Sequence, residues 1–286
     1  MDFLSGLEKF GLSNEGMSLF EEEKKTENEN EEQEKEVKAE PTEADFLLDK
    51  SVRCPMCEKT FKIKQVKNGR VKRLESDKDL RPRHQYIDTL KYSIQSCPYC
   101  GYTGLTRSIG ELSGLQRKLI QEKICDKFTG VNEIEEYDVY PYDYAIERYK
   151  LALFNSVAKN GKNSEKAYLC LCISWLLRGK IEEMPEEMKE IPSIIDNAKN
   201  EEDAYYNQAY EGFLKAISTE NFPMVGMEES TVMYLLSVMS YKLGKLDVAS
   251  KFLSSILTSS AASRRIKDKA LDLKNEMIDA IKSGRV

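Results

Sequence analysis

From about residue 142 onward, apolar residues recur at helical spacing. Ala145/Tyr149/Ala152, Ala209/Phe213/Ala216 and Ala249/Leu253/Ile256 each set a small residue four positions before a large one, which predicts a helix around each triplet. Residues 164–178 carry Tyr168, Leu171, Cys172 and Trp175, and this helix is predicted to end at Gly179. Residues 229–243 carry Met233, Leu236 and Ser237 and are predicted to end at Gly244. Lys180 to Asn200, broken by Pro185 and Pro192, reads as an insertion, and a last helix is predicted over about 263–282. Upstream the period falls to two. Phe61, Ile63 and Gln65 alternate with Lys62 and Lys64, which predicts a strand. Asn68-Gly69 then predicts a tight turn with a return over Val71 to Leu74, and a second strand is expected from Leu90 to Ser96.

The chain opens differently. Phe3, Leu4, Leu7 and Phe10 form one apolar stripe on a short helix, and Met17, Leu19 and Phe20 add a small cluster. Such a helix is too short to stand alone and needs a surface, either on this chain or on a partner. Residues 21–45 offer almost nothing to bury and read as a disordered linker. The expected organisation is a docking or capping segment at 1–20, an acidic linker at 21–49, a β-rich module at 50–110, a partly helical connector at 111–141 and a helical domain at 142–284. The three triplets resemble the second helix of tetratricopeptide repeats, where a small residue lets helices approach and a large one fills the gap. Gly244 lies where the turn of such a repeat would fall, ahead of Ala249. The insertion after Gly179 interrupts the first hairpin.

Charge divides the chain the same way. Residues 1–50 carry 16 Asp/Glu against 6 Lys/Arg, whereas residues 51–110 carry 13 Lys/Arg against 5 Asp/Glu. An acidic tail precedes a basic module and a near-neutral body. With 32% charged and 41% hydrophobic residues the composition is that of a soluble protein with a real core. No apolar run reaches membrane-spanning length, and no basic stretch with a long apolar core reads as a signal peptide. Asp2 and Glu8 against Lys9 give the first helix the wrong sign for anionic lipid. Seven cysteines in this setting point to a reducing cytoplasm, where paired Cys-x-x-Cys more often holds metal than disulfide.

Four of those cysteines carry the chemistry. Cys54-Pro55-Met56-Cys57 and Cys97-Pro98-Tyr99-Cys100 are matching knuckles, and two knuckles supply the four soft ligands of one tetrahedral, structural zinc. A four-cysteine site is closed, with no open position for catalysis. Cys97-Pro98-Tyr99-Cys100 is also a tetrapeptide used in redox enzymes, but Gly101 follows at once and a second knuckle lies upstream; an iron site is the remaining variant. Cys125, Cys170 and Cys172 lack ligand spacing and read as buried small residues.

Between the knuckles lies a basic stretch. Lys62, Lys64, Arg70, Arg73 and Arg83 are candidate polyanion contacts, with tyrosines nearby for stacking, which makes nucleic acid a possible partner. Alternating lysines are equally what an exposed strand face looks like. Ser76 to Pro82, with Asp77, Asp79, Arg81 and the single histidine His84 just beyond, is the candidate functional loop, with a plain structural turn as its alternative. No phosphate loop, nucleophile elbow or paired catalytic carboxylate stands out.

The chain resembles a bacterial family catalogued as domain of unknown function 2225, over about residues 50–260. The resemblance rests on Cys54-Pro-Met-Cys57 with Phe61, on Ser76-Asp77-Lys78-Asp79-Leu80-Arg81-Pro82 with Tyr86, and above all on Tyr92 through Tyr102 around the second knuckle. Glu147 to Leu153, Ala167 to Leu169 and Trp175 to Arg178 match its helical half. It departs at Glu58, where a glycine is usual. The resemblance implies a zinc-ribbon-like front and a tetratricopeptide-like back, and no activity. The expected fold is mainly α with a small β-rich zinc module in front. The expected function is a non-enzymatic scaffold or adaptor whose helical groove takes a protein or peptide. The alternatives are a nucleic-acid-associated factor, and an enzyme using Asp77, Asp79 and His84 near the metal.

Overall fold

Strand β1 (Leu47–Arg53) pairs antiparallel with β2 (Thr60–Val66), Lys50 standing opposite Ile63 and Arg53 opposite Thr60. On β2 the alternation holds: Phe61 and Ile63 are buried and Lys62 faces out. The computed structural model describes residues 40–129 and 137–284, all but the first of which lie in the unit Pro41–Val286. The expected docking segment 1–20 and nearly all of the expected linker lie outside the described residues.

Two expectations at the start of this unit need correction. Residues 43–49, read as linker, form a 3-10 turn (Glu43–Phe46) and the beginning of β1. Glu43 fixes the turn by accepting hydrogen bonds from Lys91 Nζ at 2.7 Å and Tyr92 OH at 2.8 Å. The partner of β2 is therefore β1, not a return strand at Val71–Leu74. Gly69 does turn the chain, at φ 75°, but beyond it the only pairing is an isolated bridge between Arg73 and His84. The loop that follows is held to the helices by ion pairs instead, Arg81 and Arg83 reaching Glu182.

A second antiparallel pair, β3 (Ile94–Ser96) and β4 (Thr103–Leu105), brackets the second knuckle. A 3-10 turn at Thr89–Tyr92 takes the place of the first half of the expected strand, with Asp88 capping it by accepting from the Leu90 amide at 3.0 Å. The connector holds α1 (Gly114–Ile120), opened by a reciprocal cap between Ser113 and Gln116 and continued by a π turn at Gln121–Cys125.

The rest is helical: α2 (Tyr142–Ala158), α3 (Asn163–Glu183), the short α4 (Glu186–Lys189), α5 (Pro192–Thr219), α6 (Glu229–Lys242), α7 (Leu246–Thr258) and α8 (Arg264–Lys282). All nine residues of the three sequence triplets are buried, each at 1% exposure or less. Helix α3 is buried nearly all round because α2 and α5 flank it, which suits its run Leu169-Cys170-Leu171-Cys172-Ile173. Gly244 ends the α6 turn at φ 70°, as a residue past a helix C-terminus does.

Gly179 does not end α3. The helix runs four residues further, and the insertion shrinks to residues 184–191 because Pro192 stands at the first position of the 28-residue α5. The glycine serves another purpose. A Cβ there would lie 2.5 Å from Arg81 Nη2 and 2.6 Å from the Tyr142 hydroxyl. It is glycine so that the loop before β3 can press an arginine onto the helix.

Candidate metal centre

Each knuckle is the tip of one strand pair, and the two are built alike. The Glu58 amide donates to the Cys54 carbonyl at 3.0 Å, and the Gly101 amide donates to the Cys97 carbonyl at 3.0 Å. Both closing residues are left-handed, Glu58 at φ 61° and Gly101 at φ 71°. At 101 a side chain is also excluded by Phe128, 2.5 Å from where a Cβ would sit. Glu58 therefore holds a glycine's conformation at the position where the resemblance leads one to expect glycine.

The two tips meet. Cys54 Sγ lies 3.6 Å from Cys100 Sγ, Cys57 Sγ lies 3.6 Å from Cys97 Sγ, and all four sulfurs fall within 4.8 Å of one another. Thiolates at about 2.3 Å from a tetrahedral ion stand about 3.8 Å apart, so the cluster has the size of a four-sulfur metal site. Hydrogen bonds from Cys100 and then Cys97 hold the Cys54 thiol well below its usual range, while Cys97 and Cys100 are pushed up, so one thiolate is held by its thiol neighbours. Three of the four are buried, among Phe61, Ile63 and Tyr102 and against Ile120 and Ile124 of the connector. Among the described residues this is the one group of cysteine, histidine or carboxylate side chains placed to hold a metal.

Asp77, Asp79, Arg81 and His84 do not join it. The first three form a charged clamp on α3. Arg81, 2% exposed, donates to Asp88 at 3.1 Å and to both carboxylate oxygens of Glu182. Arg83 forks onto Asp77 at 2.7 and 2.8 Å and also reaches Glu182. Asp79, 4% exposed, accepts from Trp175 Nε1 at 3.0 Å and from Arg178 Nη2 at 2.9 Å. Arg178 continues the network to Glu202 on α5. The Arg83 guanidinium is held above its usual range by its hydrogen bonds to Glu182 and Asp77. Burial would raise the Glu182 carboxyl, but the Arg83 and Arg81 guanidiniums outweigh it and hold it low. His84 stands apart, its Nδ1 3.2 Å from the Thr89 hydroxyl, and burial together with the nearby Arg73 charge lowers its pKa.

The basic stretch divides. Arg83 is committed to the clamp, and Lys64 pairs with Asp49 at 3.0 Å. Lys62, Arg70 and Arg73 are exposed. Of the remaining cysteines, Cys170 and Cys172 are buried in the helical core and Cys125 is half-buried against the cysteine cluster. The helix side of the clamp escaped the sequence reading. Its signal is Trp175, Arg178, Gly179 and Glu182, one stripe at helical spacing that follows the apolar run at 169–173.

Fold and site together define a four-cysteine β module fastened by buried ion pairs to a helical array. The family model described as "Uncharacterized protein conserved in bacteria (DUF2225)" matches residues 47–277, and the chain belongs to that family. No curated protein and no solved structure matches the chain. No helix among the described residues is long and apolar enough to cross a membrane.

Proposed function

We propose that this chain is a non-enzymatic scaffold or adaptor, in which one structural zinc held by Cys54, Cys57, Cys97 and Cys100 shapes a module that helps the helical array bind a protein or peptide partner. The observation that carries this reading is the fate of the polar loop. Asp77, Asp79, Arg81 and Arg83 are ion-paired to α3, to one another or to Asp88, so the residues best suited to chemistry act as a fastening. A four-thiolate zinc has no ligand position left for substrate, and its binding free energy goes into folding the module. The helical pairing of α6 with α7 across Gly244 supports the tetratricopeptide-like reading, in which stacked helices leave a groove for a segment of chain. Seven cysteines, four gathered for a metal, support a cytoplasmic setting.

Exposed Lys62, Arg70 and Arg73 support a second reading, contact with nucleic acid. Affinity capture on the intact chain, with and without nuclease and at low and high salt, separates the two. Defined proteins retained through nuclease and high salt are the expected result. Recovery only of RNA or DNA that high salt removes would overturn the scaffold reading.

A further inference from the structure

Where the loop before β3 meets the helices there is an open groove of about 440 Å³. Its apolar wall is Leu80, Val225, Met227 and Ile266, all half-buried, with Trp175 beneath. Around it stand Arg73, Arg107, Arg265 and Lys269, and no carboxylate lines it. Among the described residues none of these four cations is ion-paired, although the arginines of the adjacent clamp all are. Arg107 rests over the Tyr168 ring at 4.9 Å. The α8 N-terminus, capped by Ser263, adds the positive end of a 19-residue helix at the same wall. Unpaired cations around one apolar floor, in a chain of net charge −6, form a site with a sign of its own.

Two further features mark it as built. Leu80 and Val225 hold left-handed backbone, φ 68° and 50°, which is costly for any side chain and most of all for a β-branched one. That strain sets both side chains on the groove wall. A second hollow of about 480 Å³, lined by charges of both signs, shares Arg107, Val225 and Gly226 with the first, so the depression continues as a trough. A trough suits an extended segment better than a compact molecule.

We propose that this groove docks an acidic, partly apolar peptide segment of a partner protein. The partner's carboxylates meet Arg73, Arg107, Arg265 and Lys269, and a bulky aliphatic or aromatic side chain packs on Leu80, Met227 and Ile266. This rests on the reading of the chain as a partner-binding scaffold and names the chemistry of the partner. Peptide is favoured over nucleic acid because no aromatic face is open for base stacking. Arg107 covers Tyr168, and Trp175 is 4% exposed with its ring edge-on to Tyr168.

The test is selection of random 12-residue displayed peptides on the full chain, followed by binding titrations of the enriched peptides and of a 12-nucleotide oligo(dT). Enrichment of negatively charged peptides carrying Leu, Phe or Trp is expected. Arg265→Glu with Lys269→Glu should weaken them by roughly tenfold per reversed charge. Arg73→Glu, at an exposed position, is an independent second variant expected to act the same way. Unchanged circular dichroism and metal content in each variant exclude misfolding. Enriched peptides that ignore all three substitutions would overturn the groove assignment and leave the scaffold reading standing. Selection that enriches nothing would overturn both. Oligo(dT) binding as tightly as the peptides, with the same sensitivity, would overturn the peptide in favour of nucleic acid.

Discussion

Gly179→Ala is the sharpest perturbation of the joint between module and helices. On an isolated helix the change is favourable by about 1 kcal/mol, since alanine is the best helix former and glycine nearly the worst. Here the new methyl would lie 2.5 Å from Arg81 Nη2 and 2.6 Å from the Tyr142 hydroxyl. The end of an arginine usually yields cheaply. This one is 2% exposed and tied to Asp88 and Glu182, so yielding means overpacking the contact or loosening a buried ion pair. Overpacking costs about 1–3 kcal/mol, and breaking a buried pair outright about 3–5 kcal/mol. Set against the helix gain, the expected net loss is up to about 2 kcal/mol if the contact is only overpacked and about 2–4 kcal/mol if the buried pair is broken. Trp175, the single tryptophan, sits one helical turn away and reports unfolding directly. Equilibrium urea unfolding of the metal-loaded chain, followed by its fluorescence, measures the difference. A variant more stable than the parent by the full helix gain of about 1 kcal/mol would refute the close approach of Arg81 to α3.

Asp79→Ala removes the acceptor for both Trp175 and Arg178 and should cost about 2–4 kcal/mol, whereas Asp49→Ala, which removes an exposed carboxylate and leaves Lys64 with Asp138 at 3.9 Å, should cost under about 1 kcal/mol; equal losses would contradict the distinction between buried clamp and surface pair. Glu58→Gly relieves left-handed backbone and gives up only an exposed pair with Arg53, so stability should hold or rise by up to about 1 kcal/mol, and a larger loss would assign the Glu58 side chain a role of its own. His84, the single histidine, should titrate below 6.5 in a proton resonance experiment. A folded value depressed below the unfolded one means that its contribution is fully present above pH 6.5 and is lost as pH falls through the folded value. Titration at or above 6.5 would contradict its burial beside Arg73.

The cysteine spacing and the helical triplets made the four-cysteine cluster and the main helices legible, because both depend on local spacing. β1 was not legible. Its sequence Leu47-Leu48-Asp49-Lys50-Ser51-Val52-Arg53 buries only its first residue, so it lacks the alternation that marks a strand. It is a strand because β2 offers it an edge. Gly179 read as a stop because glycine punctuates helices, and its use as a gap for Arg81 exists only once the loop is folded back. The basic stretch misled for a related reason. Sequence counts Arg83 and Lys64 as free charge, and their carboxylate partners come from elsewhere in the chain, Glu182 and Asp49 among them. Ion pairs between distant segments leave no local trace.

The central claim, a single structural zinc in a four-thiolate site, is tested most directly by metal analysis of the intact chain purified without added metal. The expected result is one zinc per chain, lost in Cys57→Ser with Cys97→Ser. Absence of bound metal, or iron with a visible thiolate chromophore, would contradict it.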